Sequence, residues 1–177
     1  MSNCKLFIAS TLDGFIARED GSLDWLDEIG SKEQTDAGYH DFITTIDTVV
    51  IGRTTYEEIL SFGIDWPYQD HNTIVISSQI DYKITTPKTS VINKINKSTI
   101  QQIKDSSKKD VWIIGGGQII TEFINNSAIS EITTTIIPII LGKGIKLLPN
   151  NPKETKLTLI NAQSFDSGMV NLTYKLD

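Results

Sequence analysis

A chain of 177 residues, 39% hydrophobic and 21% charged, is long enough to bury the core of one domain, and its net charge of −6 supplies no basic stripe for a nucleic-acid backbone. Cys4 is the single cysteine and His40 and His71 are the only histidines, which excludes an internal disulfide or a cysteine-cluster zinc site and argues against a transition metal. The polar lead Met1-Ser2-Asn3-Cys4-Lys5 runs directly into a strand-like segment, so neither a signal peptide nor a membrane span is expected, and a reducing cytoplasm is the expected compartment.

In chain order, residues 6–9 form a short apolar run followed closely by 12–17, which predicts a first central strand. A loop with Asp20-Gly21-Ser22 follows, and Trp25 and Leu26 pack back. Residues 35–46 suit a helix capped by Thr35 or Asp36, with Tyr39, Phe42, Ile43 and Ile46 at helical spacing. Residues 47–52 read as a buried strand, and a helix over 53–60 begins immediately after Gly52. An aromatic, turn-rich loop over 62–71 leads to a third strand, 73–78, that ends in two serines. A short strand at 89–92 and a helix over 100–107 precede the segment Val111-Trp112-Ile113-Ile114-Gly115-Gly116-Gly117.

That last segment is a continuously apolar strand running into three glycines and then into a helix that lasts to about residue 125. Such a turn presents backbone N–H groups and the positive end of a helix dipole, which is an anion site, most often for phosphate. It is neither the spaced-glycine dinucleotide fingerprint nor a P-loop, which needs Lys-Ser/Thr after its last glycine. Residues 129–140, rich in β-branched side chains, predict another strand, and 157–162 with 169–176 predict a closing antiparallel pair. Alternating strands and helices that end in strands imply a three-layer αβα fold. Its twisted sheet is mostly parallel, with antiparallel C-terminal edge strands, in a single domain spanning 1–177. Ligands of such sheets bind beyond the carboxyl ends of the strands. Three strand ends carry suitable groups: Gly52-Arg53-Thr54-Thr55, Ser77-Ser78 and Gly115-Gly116-Gly117. Together they point to a cleft for a long, phosphate-bearing ligand.

Ile51-Gly52-Arg53-Thr54-Thr55-Tyr56-Glu57, Ile74-Val75-Ile76-Ser77-Ser78-Gln79 and Ile113-Ile114-Gly115-Gly116-Gly117 resemble the three cofactor segments of dihydrofolate reductases, in the same order. Thr11-Leu12-Asp13-Gly14-Phe15-Ile16-Ala17 and Pro138-Ile139-Ile140-Leu141-Gly142-Lys143-Gly144 are more similar to the reductase domain of bifunctional riboflavin-biosynthesis enzymes. The resemblance implies a reductase that uses NADPH on a pterin- or pyrimidine-like heterocycle, such as 5-amino-6-(5-phosphoribosylamino)uracil. It also implies that Gly52, Arg53, Thr54 and Thr55 receive phosphates and that Arg53, with Ser78 and Gln79 beside Ser77, faces the adenosine 2′-phosphate. Gly115, Gly116 and Gly117, with Gln118 and Ile119, then lie along the pyrophosphate and nicotinamide ribose, and Ala9 and Ala17 flank the nicotinamide.

Asp36 falls where dihydrofolate reductases place their single pocket carboxyl, as a proton handler or substrate anchor, while helix capping is the bland alternative. Asp13 and Trp25 belong to the loop that covers the nicotinamide in those relatives, and Tyr39 and Thr135 fall on the substrate side. Two departures bear on the substrate. Dihydrofolate reductases hold the folate carboxylate with an arginine just before the third strand, where this chain has His71, and no arginine follows Arg53. The zinc deaminase that accompanies the riboflavin reductases has neither the length nor the ligands here. The remaining expectations are a small heterocyclic substrate, no nucleic-acid or membrane partner, and a homodimer through residues 136–148. The alternatives are dihydrofolate reductase activity proper, a dinucleotide-binding module without turnover, and a scaffold with a vestigial cleft.

Overall fold

The computed structural model of the protein describes residues 2–26 and 36–177. Its strands are β1 (Cys4–Thr11), β2 (Phe15–Ala17), β3 (Ile46–Gly52), β4 (Asn72–Ile76), β5 (Thr89–Ile92), β6 (Asp110–Gly115), β7 (Ile129–Ile137), β8 (Ile145–Lys146), β9 (Leu157–Ser164) and β10 (Val170–Leu176). Its helices include α1 (Tyr39–Thr44), α2 (Arg53–Ser61), α3 (Lys97–Ser106) and α4 (Gly117–Asn125).

Eight strands form one sheet in the order β5-β4-β3-β6-β1-β7-β10-β9. All pairings from β5 to β7 are parallel, and β10 runs antiparallel to both β7 and β9. This is the mostly parallel sheet with an antiparallel C-terminal edge that the alternation of elements predicts. The continuous apolar runs of β3 and β6 are buried on both faces, and successive residues divide between the two layers. Leu6, Val50 and Ile113 pack with Ile100 and Ile103 of α3 and with Ile120, Phe123 and Ile124 of α4. Their neighbours Phe7, Val49 and Trp112 pack on the opposite face with Tyr39, Phe42 and Ile43. Ile51 and Val75 meet Tyr56 of α2 and Trp66.

Several boundaries differ from those read in the sequence; the strand expected over 73–78 ends at Ile76, so Ser77 and Ser78 lie just beyond it, and that expected over 157–162 runs on to Ser164. The helix expected over 35–46 is only α1, because Ala37 (φ 53) and Gly38 (φ 86) are left-handed just before it and Ile46 already belongs to β3; Thr35 lies outside the described residues. The strand expected to reach residue 140 ends at Ile137, where Pro138 has no N–H to continue the ladder. α3 begins earlier than expected because Asn96 caps it reciprocally with Thr99.

Candidate functional site

Register brings the three candidate segments together. Gly52 at the end of β3 pairs with Ile76 at the end of β4, and Ile51 pairs with Gly115 at the end of β6. The arginine turn, the serine pair and the glycine run therefore leave one sheet edge side by side. A cavity of about 790 Å³ opens there, lined by Gly52, Arg53, Thr54 and Thr55, by Ser77 and Ser78, and by Gly116, Gly117, Gln118 and Ile119. Of the residues assigned to cofactor binding, these ten line one cavity, whereas Ala9, Ala17, Gln79 and Gly115 do not line it.

Two helix starts point into this space. Gly52 is the N-cap of α2 and Gly116 that of α4, and neither helix has a side-chain cap among the described residues, unlike α3. Their first N–H groups and dipole ends are available to an anion. The two turns touch: a Cβ on Gly52 would lie 3.0 Å from Ile119 Cγ1, and one on Gly116 3.3 Å from Thr55 Oγ1. Gly115 takes φ 126, which only glycine adopts readily.

The sequence reading missed two walls of the cavity. Asn93, Lys94 and Ile95, from the loop between β5 and α3, form one of them. Ile145, Lys146 and Pro149 form a roof that rests on Gly117, where a Cβ would collide with the carbonyl oxygen of Lys146 and come within 2.8 Å of Pro149 Cδ. β8 pairs with β2, the Leu147 N–H donates to the Gly14 carbonyl at 2.9 Å, and the Leu12 N–H donates to the Ile139 carbonyl at 3.0 Å. Asp13 locks this roof. Its carboxylate accepts from the Thr11 hydroxyl at 2.7 Å and from the N–H groups of Leu141 and Gly142 at 3.1 and 2.8 Å. The Thr11 hydroxyl foremost, with those amides, holds the Asp13 carboxyl below its ordinary value. Lys143 pairs with Glu19 at 3.0 Å on the surface.

The substrate-side candidates do not line this cavity. Trp25 is buried against Ile137 and Met169, with Ala9 packed alongside, and its indole N–H has no partner among the described residues. Tyr39 meets Trp112 edge-on at 5.8 Å, and burial raises its phenol pKa. Thr135 pairs with Ala9 across β1 and β7, and its hydroxyl donates at 2.6 Å to the Asn171 side-chain oxygen. The Asn171 amide donates at 2.6 Å to the Ala37 carbonyl. Asn171, unforeseen in the sequence, thus links Thr135 of β7 to the Asp36 segment through one buried and one part-buried hydrogen bond. Asp36 is exposed, and its two oxygens accept from the N–H groups of Gly38 at 3.0 Å and His40 at 2.6 Å. The His40 amide first, then that of Gly38, holds its carboxyl below the ordinary value. This is a capping geometry, with no raised pKa of the kind a proton donor at neutral pH requires.

Among the described residues no cluster of three or more His, Cys, Asp or Glu is arranged to hold a metal, and no helix is long and apolar enough to cross a membrane. The family model for the RibD C-terminal domain matches residues 4–171. The chain is 39% identical over 160 residues to the uncharacterised protein YwjB of Bacillus subtilis, covering 90% of each chain. It superposes with a TM-score of 0.89 on a crystal structure from Shewanella sp. PV-4 assigned to riboflavin biosynthesis, at 27% identity and over 99% of both chains. It also superposes, with a TM-score of 0.75 and 16% identity, on the diaminohydroxyphosphoribosylaminopyrimidine deaminase/5-amino-6-(5-phosphoribosylamino)uracil reductase of Thermotoga maritima, covering 99% of this chain and 57% of that one.

Proposed function

The chain belongs to the RibD C-terminal domain family, and from that premise we propose that it is an NADPH-dependent reductase of a pyrimidine- or pterin-like heterocycle. The observation that carries this reading is the convergence of three strand ends on one cavity, with two uncapped helix starts facing it. The reduced nicotinamide supplies the hydride when bound. Gly52, Thr54 and Thr55 at the start of α2, and Gly116, Gly117 and Gln118 at the start of α4, would hold its phosphates by backbone donors. Arg53 and Ser78 would take the 2′-phosphate. Ala9 and Ala17 flank the nicotinamide, and Trp25, Tyr39 and Thr135 form the heterocycle side, in this proposal.

The Thermotoga maritima protein's name joins a deaminase to the uracil reductase, and this chain spans 57% of it. A 5-amino-6-(phosphoribosylamino)uracil-like compound is therefore the preferred substrate. Dihydrofolate is the less favoured one, since His71 stands where a folate carboxylate would need a guanidinium fork. The test follows NADPH oxidation with ribosylamino-pyrimidines and with dihydrofolate, alongside thermal unfolding with each cofactor. NADPH is expected to raise the melting temperature more than NADH, and equal protection counts against a 2′-phosphate site.

The engagement of both Asp36 oxygens with backbone amides favours a second reading, a dinucleotide-binding module without turnover. That reading predicts NADPH binding with no oxidation across the same substrate panel. A homodimer is also proposed, with less of residues 136–148 available to it than expected, because Ile137 is fully buried within the chain. Sedimentation at twice the chain mass is the expected result.

A further inference from the structure

Arg53 lines the cavity at the first turn of α2, yet its guanidinium is already engaged. Its Nη1 donates to both carboxylate oxygens of Glu57, at 3.0 and 2.9 Å, one helical turn along. Tyr82 lies beside this pair, and its phenol pKa is pushed up to about 12 by desolvation and then by the neighbouring Glu57 carboxylate. The Tyr82 ring is braced edge-on against Tyr56 at 6.3 Å. Ser78 and Lys94 also line this cavity, and Lys94 has no carboxylate partner among the described residues.

We infer that Glu57 sets the cofactor preference of the cleft, acting as an internal carboxylate that competes with the 2′-phosphate for Arg53. The inference rests on the reductase reading above and deepens it. A dinucleotide with a free 2′-hydroxyl leaves the Arg53–Glu57 pair intact. One with a 2′-phosphate must draw the guanidinium away from Glu57 and then sits near a like charge. An exposed pair at this spacing is weak, so the exchange is accessible. Glu57 therefore narrows the margin between NADPH and NADH that Arg53 would otherwise give.

Calorimetric titration of the intact chain with NADPH and with NADH tests this, comparing the unmodified protein with Glu57→Gln, Arg53→Gln and the double variant. Glu57→Gln is expected to tighten NADPH roughly three- to tenfold while moving NADH by less than about twofold. The gain is expected to shrink once Arg53 is replaced. A Glu57→Gln protein that binds NADPH more weakly or unchanged, or that shifts both cofactors equally, overturns the role of Glu57 and leaves the reductase reading standing. An unmodified chain that binds neither cofactor overturns both.

Discussion

Asp36 accepts two backbone N–H groups at the entry to α1, and its charge makes them stronger. Its folded pKa lies below the ordinary 3.8, so its contribution to stability is fully present above that value and is lost as pH falls through the folded value. Asp36→Asn keeps an acceptor oxygen and removes the charge. It is expected to melt earlier than the parent at pH 7, with the difference closing as pH falls through the lowered Asp36 value, as followed by circular dichroism. Thr135 gives a sharper case, because its hydroxyl satisfies the buried Asn171 oxygen. Thr135→Val strands that oxygen and should cost about 1–3 kcal/mol in denaturant unfolding. Arg53 and the serine pair were legible because a short motif carries them. Asn171 and Lys94 were not, because their significance arises from contacts with segments distant in sequence and no local pattern marks them.

At the scale of elements, Gly117 is where the roof meets the floor of the cleft. A methyl group there would strike the Lys146 carbonyl and press on Pro149 Cδ and the Leu147 carbonyl, mostly backbone that cannot rotate away. Gly117→Ala is expected to cost about 1–3 kcal/mol, by displacing the roof, and to abolish protection by NADPH in a thermal shift. Gly116→Ala meets only the Thr55 hydroxyl at 3.3 Å, a side chain that can turn, and should retain most of that protection. The strand runs and the glycine turn could be read from sequence because continuous apolar residues followed by glycine allow few local structures. The roof could not, since β8 has two residues and is fixed by β2, Gly14 and the Asp13 carboxylate. The same limit shortened the expected first helix: nothing in its apolar spacing marks Ala37 as left-handed.

For the whole molecule, the layered sheet was legible in outline because buried parallel strands and a terminal antiparallel pair differ in pattern. Strand order was not, because β1 lies between β6 and β7, both more than a hundred residues away. β10 sits inside the sheet and supplies Asn171 and Leu176, so the C-terminal pair is more than an appendage. A chain ending at Asn150 would leave β7 with an open edge and is expected to lose its cooperative thermal transition and to aggregate in size-exclusion chromatography. The three tryptophans, Trp25, Trp66 and Trp112, are all enclosed, at 2, 7 and 6% exposure. Their indoles therefore sit away from water, and their combined emission should be blue-shifted. A reduced nicotinamide in the adjoining cleft would drain that light by resonance transfer, so the unlabelled protein carries its own optical gauge of occupancy.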